Sequence, residues 1–351
     1  MKMWLVRLFS LLIIFGLIAI AQTGAWRFAV SGDSRNCGDI VMPAIARGVQ
    51  ADGALFYWHL GDFRAIYRID QDYSQVHQKS LMGDYLSDAW NDFIENQLVP
   101  FGDTPVFLAV GNHELMPPKD HNQVIAQFAD WLNAPPIRSQ RLQDDSSDHA
   151  VKGYYHWRMS GIDFITLDNS SEDQFNPSQM SWLNQLLDRD ARDISIRALV
   201  VGMHAALPES ISAAHSMNQS ATGTETGRAV SDWLVKFKRQ ARKPVYVLAS
   251  HSHFYMEGIF NTPAWRDRGV LPGWIVGAAG AERYKLPAAA QDARDARAYV
   301  YGYLLATVDP TKDEPIQFEF RQLTEGDVPS DVVDKYSKEL VHDCWVNNAQ
   351  H

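Results

Sequence analysis

Apolar residues along this chain fall into short, nearly continuous runs, separated by stretches in which they recur every three or four positions. The continuous runs are Trp26 to Ser31, Ala54 to Leu60, Pro105 to Val110, Ile196 to Val201 and Val245 to Ser250. Unbroken apolar runs of this length predict strands buried on both faces, the habit of parallel sheets. Helical spacing is found in Ile40 to Gln50, Asp88 to Val99, Asn122 to Leu132, Pro177 to Asp188 and Ala229 to Gln240. In the fourth of these, Met180, Leu183, Leu186 and Leu187 share a face, and Pro177 sits at the start, where proline is tolerated. Tyr154 to Met159 and Ile162 to Leu167 alternate around Ser160-Gly161 and predict a hairpin. Asn133 to Asp148 reads as irregular and Glu209 to Gly227 as a long polar loop. Late strands are expected at Trp274 to Ala278, Tyr301 to Val308 and Ile316 to Leu323. Strands alternate with helices early, and antiparallel pairs dominate late. The expectation is an α/β fold of two stacked mixed β-sheets flanked by helices.

The ends of the chain bound its location. Lys2 and Arg7 precede a nearly unbroken apolar stretch, Leu8 to Ala21, that closes on the small-x-small triplet Ala19-Ile20-Ala21. This predicts a signal peptide over 1–21, with cleavage as late as Ala25, and a secreted or periplasmic protein. The stretch is short for a membrane span; a retained N-terminal anchor is the alternative, and otherwise no stable anchor survives cleavage. No Pro/Ser-rich linker or repeat divides the remaining residues, so one domain over 26–325 is expected, with insertions near 63–102 and 115–148 and a C-terminal tail over 326–351. Without Lys2 and Arg7 the chain carries 30 basic against 42 acidic residues. That balance argues against general nucleic-acid binding, which runs on Lys/Arg contacts to phosphates. Cys37 and Cys344 are the only cysteines. In an exported protein such a pair is most simply a disulfide, here tying the C-terminal tail to the segment just after Asp33, with two buried free thiols as the alternative.

Five polar blocks stand at or near the ends of the apolar runs: Gly32-Asp33-Ser34-Arg35, Gly61-Asp62, Gly111-Asn112-His113-Glu114, Gly202-Met203-His204 and His251-Ser252-His253. Strand ends of this kind deliver oxygen and imidazole groups to one rim of a sheet, where open α/β sheets bind ligands. A mixed O/N set suits a pair of hard-to-borderline metals, and paired metals serve phosphoryl-transfer hydrolysis. A Ser/His hydrolase is not supported, since no Gly-x-Ser-x-Gly occurs.

With these blocks in order, the chain from Phe28 to about Leu323 resembles the calcineurin-like metallophosphoesterase superfamily, whose pattern is Asp-x-His, Gly-Asp, Gly-Asn-His-Asp/Glu, Gly-x-His and Gly-His-x-His. The resemblance implies a metallophosphoesterase-type sandwich and two metal ions, divalent or trivalent, such as iron, manganese or zinc. It implies Asp33 and His253 on the first metal, Asp62 as the bridge, and Asn112, His204 and His251 on the second. It further implies attack by a hydroxide held between the metals, His113 as proton donor or charge stabiliser, and Glu114 behind it orienting the imidazole. The activity implied is hydrolysis of a small phosphorylated substrate, a phosphomonoester first. A phosphodiesterase or nucleotidase is the alternative, and a catalytically degenerate phosphate-ligand-binding protein a third reading.

Two positions depart from the pattern. Arg35 stands where the first block has histidine, and a guanidinium has no lone pair to give a metal. Purple acid phosphatases also lack that histidine but carry a tyrosine three residues after the second-block aspartate; here that position is Ala65. Tyr67 and Asn36 are candidate replacements, and Arg35 becomes a candidate for holding the substrate phosphate together with Asn112. The second departure is Ser250 in place of glycine. Of the remaining polar residues, His59 and His156 read as packed, His215 as a solvated loop residue within reach of substrate, and Arg64 as a phosphate contact or an ion pair.

Overall fold

The computed structural model describes residues 24–350, so the leader expected over 1–21 lies outside the described residues. Strand β1 (Trp26–Ser31) leads through helix α1 (Gly38–Ala51) to β2 (Ala54–His59). Helices α2 (Gln71–Val76) and α3 (Met82–Phe93) then precede β3 (Val106–Leu108). Three short helices follow, α4 (His121–Gln127), α5 (Ala129–Leu132) and α6 (Pro135–Asp144). The hairpin of β4 (Tyr155–Met159) and β5 (Ile162–Thr166) comes next, then α7 (Pro177–Arg192), β6 (Ala198–Gly202), α8 (Ala221–Ala241) and β7 (Val245–Ala249). The chain closes with β8 (Tyr255–Glu257), α9 (Pro263–Arg268), β9 (Gly273–Val276), β10 (Asp295–Arg297), β11 (Tyr301–Val308), β12 (Ile316–Leu323), α10 (Ser330–Tyr336) and α11 (Lys338–Val346).

These strands form two sheets, ordered β12-β11-β1-β2-β3 and β10-β8-β9-β7-β6-β5-β4. In the first, β1, β2 and β3 are parallel and β11 and β12 antiparallel; in the second, β5, β6, β7 and β9 are parallel and the flanking strands antiparallel. The α/β class and the mixed-sheet sandwich are therefore as expected. The strand β6 explains its own unbroken apolar run. Ala198 and Val200 face the core between the sheets, while Leu199 and Val201 face the second core under α7 and α8. Both faces are covered, so no position is free to be polar. The inter-sheet core is aromatic: Phe28 stacks on Phe56 at 5.1 Å between centroids, and Phe107 stacks on Trp157 at 4.1 Å. Truncating one such ring to alanine typically costs about 3–5 kcal/mol.

Three local expectations need correction. Asn133 to Asp148 is not irregular: Pro135 opens α6, a helix with a proline at its first position, the place that best accepts one. Helix α8 begins at Ala221 inside the supposed loop, because the Ser220 hydroxyl accepts from Gly223 N–H and caps it. The helix expected over Asp88 to Val99 begins earlier, at Met82, and passes into a wider π-turn over Ile94–Leu98. The tail beyond 325 forms two helices packed over α1. Tyr336 O–H donates to Asp39 at 3.0 Å, and Cys344 of α11 is disulfide-bonded to Cys37 at the start of α1. A bridge closing so long a loop is worth about 5 kcal/mol in the chain-entropy account. Among the described residues no helix is long and apolar enough to cross a membrane.

The stretch 63–102 is anchored by a buried charge cluster. Arg64 is fully buried and meets Asp39 at 2.5 Å and Asp72 at 3.0 Å, with Asp92 in contact and Asp70 at 3.7 Å. Burial and the crowding of Asp39 push Asp72 well above the usual carboxylate range. Arg64 is thereby a structural tie among α1, α2 and α3, and its guanidinium is spent on these carboxylates rather than on a phosphate.

Candidate metal centre

All five polar blocks follow parallel strands, three from the first sheet (β1, β2, β3) and two from the second (β6, β7). Parallel strands in one orientation put their carboxyl ends on one side, and the blocks meet there. Three of the residues so delivered hold left-handed backbone: Asp33 at φ 61°, Asp62 at φ 61° and His251 at φ 65°. Such conformations are strained for side chains with a Cβ and persist only where surrounding contacts enforce them. Here the contacts are visible. Asp33 N–H donates to Gly61 O, Ser34 N–H to Asp62 O, and His251 N–H to the Asp33 carboxylate at 2.7 Å. Gly111 lies so close to Asp62 that a Cβ there would collide with it, which explains glycine at that position.

Two groups of ligand atoms result, each with its atoms within 4.8 Å of one another: Asp62, His204 and His251, and Asp33, Asp62 and His253. Asp62 belongs to both. In the first-named group His204 Nδ1 donates to the Leu60 carbonyl at 2.9 Å, so Nε2 carries the lone pair. Toward that nitrogen point Asn112 Oδ1 at 3.0 Å, His251 Nδ1 at 3.0 Å and Asp62 Oδ1 at 3.3 Å. Lone pairs gathered this closely need a cation or a proton between them. Burial works against charging His204, but Asp62 and Asp33 overcome it and raise its pKa; burial and His204 hold His251 down to about 3. These four residues fit a metal ion.

The other group is differently furnished. Arg35 is 7 % exposed, and its Nη2 lies 2.9 Å from His253 Nε2, with Nε 3.9 Å from Asp62 Oδ2. Asp33 Oδ1, Asp62 Oδ2 and Arg35 Nε are buried without hydrogen-bond partners. Burial would raise the Asp33 pKa, but the neighbouring histidines, His253 foremost, hold it well below the usual carboxylate range. Neither replacement ligand considered above is here. Asn36 Oδ1 accepts from Glu282 N–H, and Tyr67 stands with its ring 5.3 Å from His113.

His113 is fixed by its Nδ1, 2.7 Å from the Ala65 carbonyl, which turns Nε2 to within 3.7 Å of Asp62 Oδ2. Burial, with Arg35 assisting against the pull of Asp62, lowers its pKa. Glu114 does not orient this imidazole. Its carboxylate accepts from the backbone N–H groups of Asp62, Phe63 and Gly111 at 2.8–2.9 Å and so holds the strained Asp62 loop, while burial and the nearby Asp62 push it up to about 8. Ser250, far from a passive replacement of glycine, donates to the Leu60 carbonyl at 2.9 Å beside His204. His59 is packed as expected, between Ser34 Oγ and Gly61 N–H.

Sequence reasoning missed the aromatic wall over the centre. Tyr284 stacks on His253 at 4.0 Å between ring centroids. His215, half-buried rather than solvated, stands 5.3 Å from both His251 and Tyr284. Tyr284 lies in a polar stretch with no periodicity, so nothing local marked it.

The model of the calcineurin-like phosphoesterase family matches residues 35–255. No curated protein sequence matches the chain. Among solved structures, one described as PhoD superposes with TM-score 0.50 at 12% identity, covering 92% of this chain and 77% of that one. A dimetal phosphatase from Danio rerio superposes with TM-score 0.53 at 10% identity, covering 85% and 96%. At such identities these likenesses speak for the fold alone. Taken with the family match over most of the chain, they lead to one assignment: this chain belongs to the calcineurin-like phosphoesterase family, metal-dependent enzymes that use a dinuclear centre.

Proposed function

We infer that this chain is an exported metal-dependent phosphoric ester hydrolase acting on small phosphomonoesters. The observation that carries the reading is the convergence of Asp62, Asn112 and His251 on the lone pair of His204, within 3.3 Å, beside a fixed His113. The chemistry a divalent ion supplies there is acidification of water and polarisation of a phosphoryl oxygen. Asn112 spends its Oδ1 on the centre and keeps its amide N–H groups for a substrate oxygen. His113, anchored at Nδ1, presents Nε2 across the rim; protonated, it donates to the leaving oxygen. Arg35 Nε has no hydrogen-bond partner and supports a role as phosphate donor, since a guanidinium matches two phosphoryl oxygens at once. The added positive charge favours the dianion of a monoester over the single charge of a diester. Export is supported by the Cys37–Cys344 disulfide, a bond of oxidising compartments.

The test is a comparison of p-nitrophenyl phosphate with bis(p-nitrophenyl) phosphate on the disulfide-bonded chain loaded with Mn²⁺ or Zn²⁺. The monoester should be turned over faster, and His113→Asn should lower kcat by about 10²-fold or more with metal content unchanged. Faster diester turnover moves the reading to a phosphodiesterase or nucleotidase. Tight phosphate binding with no turnover of either ester moves it to a binding protein.

A further inference from the structure

The family's two-metal centre does not fit one half of this rim, and the misfit has a structural cause. We propose that the Arg35 guanidinium stands in the first cation place, so that the chain binds a single metal ion, at Asp62, Asn112, His204 and His251. The proposal rests on the phosphoesterase reading above and refines it.

His253 Nδ1 lies 2.6 Å from the Glu282 carbonyl oxygen, which only an N–H can approach so closely. The ring therefore keeps one lone pair, on Nε2, and Arg35 Nη2 donates into it at 2.9 Å. One lone pair serves one partner. While the guanidinium holds it, His253 has nothing to offer a metal. The His204 ring is held in the same tautomer by the Leu60 carbonyl, yet its Nε2 faces Asn112 Oδ1 and Asp62 Oδ1, both acceptors. Asp33 Oδ1 lies 3.3 Å from His253 Nε2 as Asp62 Oδ1 does from His204 Nε2, but only at His253 does a cationic donor, Arg35 Nη2, stand closer, at 2.9 Å.

Charge runs the same way. Arg35 lies 3.9 Å from Asp62 and 2.9 Å from His253, two of the three residues of this group, and so brings its positive charge to the space they enclose with Asp33. A divalent ion added there would sit against a buried, permanently charged guanidinium. The position that brings histidine to the family pattern is Arg35 itself, and the Oδ1 of its neighbour Asn36 is spent on Glu282 N–H. Stacking of Tyr284 on His253 and its carbonyl anchor at Glu282 leave the imidazole no freedom to turn toward another partner. On this account a guanidinium does for the substrate phosphate what a first metal would do: it binds a phosphoryl oxygen, though it cannot acidify water.

The experiment is a metal count on the full, disulfide-bonded chain. Isothermal titration with Mn²⁺ and elemental analysis after desalting are run on wild type, Arg35→His, Arg35→Lys and His204→Ala, with circular dichroism as the check on folding. Wild type should bind one Mn²⁺ per chain and give the six-line electron paramagnetic resonance signal of an isolated ion. Arg35→His should bind two and give the exchange-coupled spectrum of a pair, while Arg35→Lys, which keeps the cation, should stay at one. His204→Ala should lose the ion. Two ions in the wild type overturn the proposal but leave the phosphoesterase reading standing. No ion in the wild type overturns both. If Arg35→His misfolds, a folded Arg35→Gln that stays at one ion also counts against the guanidinium as the excluding group.

Discussion

The two histidine clusters on either side of Asp62 are built alike and furnished differently. His204 and His253 each follow a parallel strand of the second sheet, each has Nδ1 pinned to a backbone carbonyl, and each turns Nε2 toward Asp62 or Asp33. At His204 the converging oxygens of Asn112 and Asp62 are acceptors, so the cluster calls for a cation or a proton among them. At His253 the cation is part of the chain. A second pair of residues shows what distinguishes a functional buried charge from a structural one. Arg64 follows Asp62 by two residues and Arg35 reaches it through space; both are buried and each leaves its Nε unpaired, but the terminal nitrogens of Arg64 are closely ringed by carboxylates while Nη2 of Arg35 meets the imidazole of His253. A buried donor without a partner is costly to keep.

The sharpest way to break the comparison is to remove each histidine in turn. His204→Ala takes away a ligand of the metal-fitting cluster and should lower kcat/KM by about 10³-fold, the several kcal/mol of charge stabilisation that a metal supplies. His253→Ala removes only the acceptor of Arg35 and should cost about 10-fold, an effect of the size seen for outer partners of a metal site. Equal losses measured by steady-state kinetics would mean that both clusters hold metal. The two arginines sharpen it next. Arg64→Ala leaves Asp39, Asp72 and Asp92 uncompensated and should reduce stability by about 3–5 kcal/mol in urea denaturation, whereas Arg35→Ala, whose ion-pair contact with Asp62 is longer at 3.9 Å, should cost less.

The smallest effect belongs to a charge cluster outside the rim. His156 of β4 lies between Asp163 at 2.8 Å and Asp144 at 2.6 Å. Burial opposes its protonation, but Asp163 and Asp144 raise its pKa to about 9. A folded-state pKa above the unfolded value of 6.5 makes the contribution fully present below pH 6.5 and removes it as pH rises through about 9. His156→Gln should therefore cost up to about 3 kcal/mol at pH 6 and little by pH 10, followed as the Tm difference from wild type. A difference constant across that range would mean that the pair holds His156 by packing and not by charge. Activity should be untouched, since His156 lies away from both ligand groups.

How much of this was readable along the chain follows from the range of the forces involved. The strands carrying the blocks announced themselves because both their faces are buried, and the blocks stood out because each comes directly after such a run. Helix α6 and the start of α8 were missed because their signals, Pro135 and the Ser220 cap, are single residues inside polar stretches. The role of Glu114 was misjudged because adjacency to His113 suggested a partner that the short 3₁₀ turn at His113–Leu115 points elsewhere.

By itself the sequence determined the architecture, the family pattern and the polar blocks that reach the rim, because these follow from burial periodicity and from side-chain chemistry that each residue carries with it. Only the tertiary structure decided what each of those groups faces. Whether an imidazole lone pair meets a guanidinium or another lone pair depends on which carbonyl pins its opposite nitrogen, and Leu60 and Glu282 lie 144 and 29 residues from the histidines they hold. Hydrogen bonds act over about 3 Å, so their consequences become readable only once folding has brought those groups together.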